Sequence, residues 1–127
     1  MKLVQQIKRM FEPSAAKVQT LKDHRTVSRD GLALRFITMQ TPELCLRAVM
    51  QNSDALQHVY NQTETICIIA VNRNGLALRF VKNQSYAICS AAVKQNSDAL
   101  QYVRDTDMLE YCKSVIELTN RIQQSRT

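Results

Sequence analysis

A chain of 127 residues is long enough for one compact domain and short for two ordinary ones. Hydrophobic residues make up 45% and charged residues 22%, which excludes a disordered chain, and two glycines and two prolines disfavour a turn-rich all-β fold. The net charge of +6 is lopsided: residues 1–29 hold Lys2, Lys8, Arg9, Lys17, Lys22, Arg25 and Arg29 against Glu12 and Asp23, whereas residues 30–127 are nearly neutral.

In the first eleven residues, Leu3, Val4, Ile7, Met10 and Phe11 form the apolar face of an amphipathic helix. This stretch lacks the continuous apolar core of a signal peptide, and nowhere does the chain approach the roughly 18 apolar residues needed to span a bilayer. The expected setting is the cytoplasm of the cell that makes it, with delivery into a host cell open by a route without a cleaved signal. The face of Leu3, Ile7 and Phe11 beside Lys8 and Arg9 would suit a membrane surface. A cap over the first repeat is the simpler expectation. Residues 14–29 follow as a second helix with Val18, Leu21 and Val27 inward. Lys22, Arg25 and Arg29, at i, i+3 and i+7, then share one face.

From Asp30 the chain repeats every 22 residues, with units opening at Asp30, Asn52, Asn74 and Asn96. Units one and three, DGLALRFITMQTPELCLRAVMQ and NGLALRFVKNQSYAICSAAVKQ, are identical at 11 of 22 positions. Units two and four open NSDALQHV and NSDALQYV, so odd units resemble odd and even resemble even, a 44-residue duplication of a pair. Each unit has a first apolar cluster (Ala33, Leu34, Phe36 and Ile37 in unit one). The first three units carry a second one, such as Leu44, Cys45, Ala48 and Val49. The second cluster marks one face of an α-helix, and the first fits a shorter helical turn. Whether that turn is a short α-helix or a 3₁₀ helix is open at this level.

Thr41, Thr63 and Ser85 stand where N-caps are needed, with Pro42 at N1. Asn52, Asn74 and Asn96 fall just after the second helix, where a left-handed C′ residue is expected. Residues 63–71 are rich in β-branched side chains and alone would be assigned to a strand. Their Ala- and Leu-rich counterparts in the sibling units make them helical. The leucine-rich framework that shares this period is absent. After Asp107, Met108, Leu109, Cys112, Val115, Ile116 and Ile122 mark a longer last helix.

The expected fold is therefore all-α: a solenoid of 22-residue helix-turn-helix units over residues 30–105. It forms one domain, closed by a basic cap at 1–29 and a capping helix at 106–127. The phrase carried by Asn74, Ala77, Leu78, Val81, Asn83, Gln84, Ser85, Ile88, Cys89, Ala92, Val93 and Gln95 resembles the tandem repeats of the domain of unknown function 4116. The likeness covers about residues 30–105. Unit four departs from it, with Arg104-Asp105-Thr106 in place of Asn-Gln-Thr and its cysteine displaced to Cys112. Such repeats occur in proteins of intracellular bacteria such as Legionella and in giant viruses. The resemblance implies helical repeats and a role in interaction with a host or rival, and no activity.

Cys45, Cys67 and Cys89 recur every 22 residues and so occupy one place in successive units. Neighbouring packed helices lie about 8–10 Å apart, too far for a disulfide, and no paired C-x-x-C spacing is present for zinc. They are expected to be core thiols. His58 holds the slot of Phe36, Phe80 and Tyr102, a partly buried core position, and His24 has no ligand or catalytic partner at a useful spacing. Asn61-Gln62-Thr63 and Asn83-Gln84-Ser85 fit the glycosylation pattern but fall at the inter-helix turn, where the same residues serve turn and cap chemistry. No phosphate loop, nucleophile elbow or zinc-hydrolase motif appears, so no enzyme, cofactor or metal is expected.

The remaining candidates are for binding. Lys22, Arg25 and Arg29 form the basic face. Arg35, Gln57, Arg79 and Gln101 form one equivalent row along the repeats, and Tyr60, Lys82 and Arg104 form another at the turn. The expected function is a non-enzymatic protein-binding module, a small effector or inhibitor that docks on a macromolecular target through Lys22, Arg25, Arg29, Arg35, Tyr60, Arg79 and Lys82. The alternative is a basic binder or inhibitor of nucleic acid or of a nucleic-acid-handling complex, such as a mobile-element anti-defence protein. Against it stand few stacking aromatics and no known nucleic-acid module.

Overall fold

The caps explain where the helices begin. In a computed structural model, which describes residues 2–11 and 14–126, Thr41, Thr63 and Ser85 accept hydrogen bonds from the backbone N–H groups of Leu44, Ile66 and Ile88 at 3.2–3.3 Å. Each opens a ten-residue α-helix. Met1, Glu12, Pro13 and Thr127 lie outside the described residues, as does the Phe11 side chain assigned above to the first apolar face. The chain is all-helical, with six α-helices and four 3₁₀ helices among the described residues and no strand. In order these are α1 (Lys2–Phe11), α2 (Ala15–Arg29), η1 (Gly31–Phe36), α3 (Pro42–Gln51), η2 (Ser53–His58), α4 (Glu64–Arg73), η3 (Gly75–Phe80), α5 (Tyr86–Gln95), η4 (Ser97–Tyr102) and α6 (Thr106–Ser125).

The first helix of every unit is thus 3₁₀, which closes the question left by its spacing. Leu34, Leu56 and Leu78 are fully buried, and Ile37, Val59 and Val81 follow three residues later. A three-residue spacing is the 3₁₀ period, at which side chains eclipse along one edge. Six residues is long for such a helix, and its ends are held from outside. At the start, Asp30, Asn52, Asn74 and Asn96 accept a hydrogen bond from the N–H two residues on, at 2.9–3.1 Å. These four residues also terminate the preceding α-helices, and their backbone is extended, with φ between −144° and −152°. The expected left-handed C′ asparagine is corrected here. No described non-glycine residue has positive φ, because each asparagine is already committed as the N-cap of the next helix.

Each α-helix packs on the next along the chain, from α2 through α6, and η1 to η4 do the same. The core between the two rows is apolar: Cys45, Ala48 and Val49 of α3 and their equivalents in α4 and α5 are buried. Val27 anchors α2 on this core, and Cys112 anchors α6. Counted from its cap Asp105, Cys112 falls in the register of Ala48, Ala70 and Ala92, not in that of the repeat cysteines. The turn before α6 is two residues shorter, so the displaced-cysteine alignment is corrected.

Other inward assignments change at the N-terminal end. Leu21 is exposed and Val18 half-buried, with Val27 alone fully inside α2. Phe36 is 73% exposed, whereas Phe80 packs against the core. Phe36 belongs to the first unit and has no earlier 3₁₀ helix to lie on. The expected cap of α1 over the repeats does not form among the described residues: α1 contacts no other helix, and Leu3, Val4, Ile7 and Met10 are exposed. At the other end, Ile122 is exposed where α6 continues past the last unit.

Candidate binding groove and the glutamine ladder

Gln40, Gln62 and Gln84, one per turn, join successive units. Gln62 Nε2 donates to the carbonyls of Leu56 (3.0 Å) and Phe80 (2.9 Å), while its Oε1 accepts from the N–H of Lys82 (2.9 Å). Gln40 spans in the same way to His58 O (2.8 Å) and Tyr60 N (3.0 Å), and Gln84 to Tyr102 O (2.7 Å) and Arg104 N (3.0 Å). Each glutamine therefore satisfies the frayed C-terminal carbonyl of the next 3₁₀ helix. The cysteine five residues on donates weakly to the same Oε1, at 3.5 Å for Cys45 and 3.7 Å for Cys67 and Cys89. The sequence reading missed this role. Its signal was glutamine recurring at 22-residue spacing before each cap.

A second glutamine device falls only in odd units. Gln51 Oε1 accepts from Gly31 N at 2.6 Å, and Gln95 Oε1 from Gly75 N at 2.5 Å. A Cβ on either glycine would run into the carbonyl oxygen of Ala48 or Ala92. Even units carry Ser53 and Ser97 at the glycine position, and Arg73 stands where the glutamine would be. The 44-residue duplication is thus a packing alternation, with a close glycine contact in every second unit.

All four cysteines are free and buried. Burial in apolar surroundings raises every thiol above its ordinary 9.0, Cys89 to about 11, where the nearby Cys112 adds to the shift. Among the described residues no group of three or more His, Cys, Asp or Glu side chains is placed to hold a metal, and no helix is long and apolar enough to cross a membrane.

The predicted binding residues do not form one surface. Arg25 and Arg29 line a groove of about 500 Å³ between α2 and α3, together with Leu21, His24, Ser28 and Arg47. Gln51 Nε2 donates to Arg29 O at 3.3 Å, fixing the end of α2 on α3. Arg47 Nη1 lies 3.4 Å from Ser28 Oγ, which itself donates to His24 O at 2.7 Å. Neither Arg25, Arg29 nor Arg47 pairs with a carboxylate among the described residues, and no acidic side chain lines the groove. His24 Nδ1 is shut from solvent without a hydrogen-bond partner. Lys22 is exposed on α2 outside the groove lining.

Elsewhere the candidates are partly spent on structure. The Arg35 and Arg79 guanidinium groups lie over the Phe36 and Phe80 rings, at 4.5 and 4.6 Å, and Arg79 also approaches Asp54 at 3.9 Å. Lys82 is turned back on the preceding unit, its Nζ within 3.5 Å of the Val59 and Tyr60 carbonyls, and Arg104 does the same to Val81 and Lys82. Tyr60, exposed like Lys82 and Arg104, lines a small cleft with Pro42 and Asn61.

No protein-family model matches the chain, and neither curated proteins nor solved structures match it.

Proposed function

We propose that the chain is a non-enzymatic docking module whose units stack as a short solenoid, and that it binds an acidic segment of a partner protein in the α2–α3 groove. The observation that carries this reading is the convergence of Arg25, Arg29 and Arg47 around one groove without a countercharge. Guanidinium forks bind carboxylates in pairs of parallel hydrogen bonds, and arginine recurs among the residues that dominate protein interfaces. Leu21, 59% exposed at the rim, adds apolar surface for a segment that mixes acidic and apolar side chains. The resemblance to domain 4116 repeats supports the same reading, with the protein acting as an effector or inhibitor by occupancy. It would do so within a cell, its own or a host's.

Nucleic acid is the second reading, favoured by the basic N-terminal segment. The groove holds no Phe, Tyr or Trp ring for stacking, and the repeats add little positive charge. Titration of the full chain with fluorescent acidic peptides and with single- and double-stranded oligonucleotides, across a range of salt, tests the choice. Peptide binding that is lost in an Arg25→Ala/Arg29→Ala/Arg47→Ala variant supports the groove. Tight oligonucleotide binding with a steep salt slope, and none to the peptides, would sink it.

A further inference from the structure

We propose that α1 is an in-plane amphipathic anchor that docks the protein on an anionic lipid surface. At about 100° per residue, Leu3, Val4, Ile7 and Met10 fall on a single apolar arc, and all four are exposed. Lys8 borders that arc beside Val4, Gln6 borders it beside Met10, Lys2 and Arg9 lie on the polar face behind it, and α1 contains no acidic residue. No other helix touches α1 among the described residues, so the apolar face is not used as a cap.

A ten-residue helix in water gains too few hydrogen bonds to offset its nucleation cost, so its stability comes from whatever takes its apolar face. Its length of about 15 Å is half a hydrocarbon core. It lies flat rather than spanning, with the apolar arc sunk roughly 5–10 Å and the cations at headgroup level. A polar face that carries Lys2, Lys8 and Arg9 with no acidic residue, opposite an exposed apolar arc, calls for a surface that is apolar beneath and negative above, as a bilayer of acidic phospholipid is. A second copy of the chain does not meet that need, because residues 30–127 are nearly neutral. Lys17 and Lys22 on the exposed side of α2 extend the positive field.

The test is co-sedimentation of the full chain with vesicles of phosphatidylcholine alone and with about one-third phosphatidylserine. Binding is expected to the acidic vesicles and to be at least tenfold weaker on the neutral ones. Lys8→Ala/Arg9→Ala should weaken it roughly 25-fold, about fivefold per cation. Ile7→Glu should weaken it at least tenfold by removing the centre of the apolar arc. Both variants should keep the parent's thermal midpoint, because α1 packs on nothing described. Three results would overturn the proposal: no binding to acidic vesicles, binding retained in Ile7→Glu, or α1-dependent self-association by light scattering without vesicles. Arg25→Ala/Arg29→Ala/Arg47→Ala separates α1 from the groove, and loss of binding in that variant alone would also overturn it.

Discussion

Replacing Gln62 by alanine should unlatch the middle of the repeat array. The substitution deletes the donor shared by the Leu56 and Phe80 carbonyls and the acceptor used by Lys82 N–H, three bonds of 2.9–3.0 Å. At about 1 kcal/mol net per bond, lowered somewhat where water can reach the half-buried site, the loss is about 2–3 kcal/mol. For a chain of this length that lowers the thermal midpoint by roughly 6–15 °C. The matched control is Gln57→Ala, which loses only one exposed local bond to Asp54 O at 3.0 Å and should stay within about 0.5 kcal/mol of the parent. Urea unfolding followed by circular dichroism reads both. Gln62→Glu adds a sharper test. Ionised, the side chain cannot donate and faces two carbonyls, which raises its pKa in the folded state above the unfolded value. The variant should therefore be least stable at neutral pH and recover as pH falls and the carboxyl becomes a donor. If Gln62→Ala unfolds within about 0.5 kcal/mol of the parent, water replaces the ladder and the glutamines do not join the units.

Gly75→Ala should cost about 2–3 kcal/mol because its Cβ overlaps the Ala92 carbonyl and crowds Gln95 Oε1. Ser97→Ala, at the matching position of an even unit, should be nearly neutral in the same urea titration. The thiols give a pH prediction. All four are raised above 9.0 by burial, so unfolded chains ionise first and bind fewer protons than folded ones. Their contribution is complete below about pH 9 and is lost as pH rises through the raised folded-state values, about 11 for Cys89, which a flatter alkaline stability profile in a variant with all four cysteines changed to alanine would show. The same burial predicts that Cys45, Cys67, Cys89 and Cys112 react slowly with thiol reagents at neutral pH until denaturant is added; rapid modification of all four in the folded chain would contradict the core placement.

The all-helical content, the α-helical half of each unit and its Thr or Ser cap were legible in the sequence, because they rest on contacts three or four residues apart. A short first helix in each unit was legible too, but not its 3₁₀ form, because the three-residue step from Leu34 to Ile37 and from Leu78 to Val81 also fits a short α-turn. Tertiary structure alone decided which shared residues face a neighbouring unit. Gln62 and Asn74 look like turn residues until the next unit supplies a carbonyl or the next helix an N–H. Lys82 looks like a surface cation until the preceding unit's carbonyls appear beneath it. The basic face was visible as Lys22, Arg25 and Arg29. The groove was not, since Arg47 joins it from α3 across the helix interface and Lys22 points elsewhere. Local periodicity determines helices because their hydrogen bonds close within a turn. Partners about twenty residues away are chosen by how the units pack.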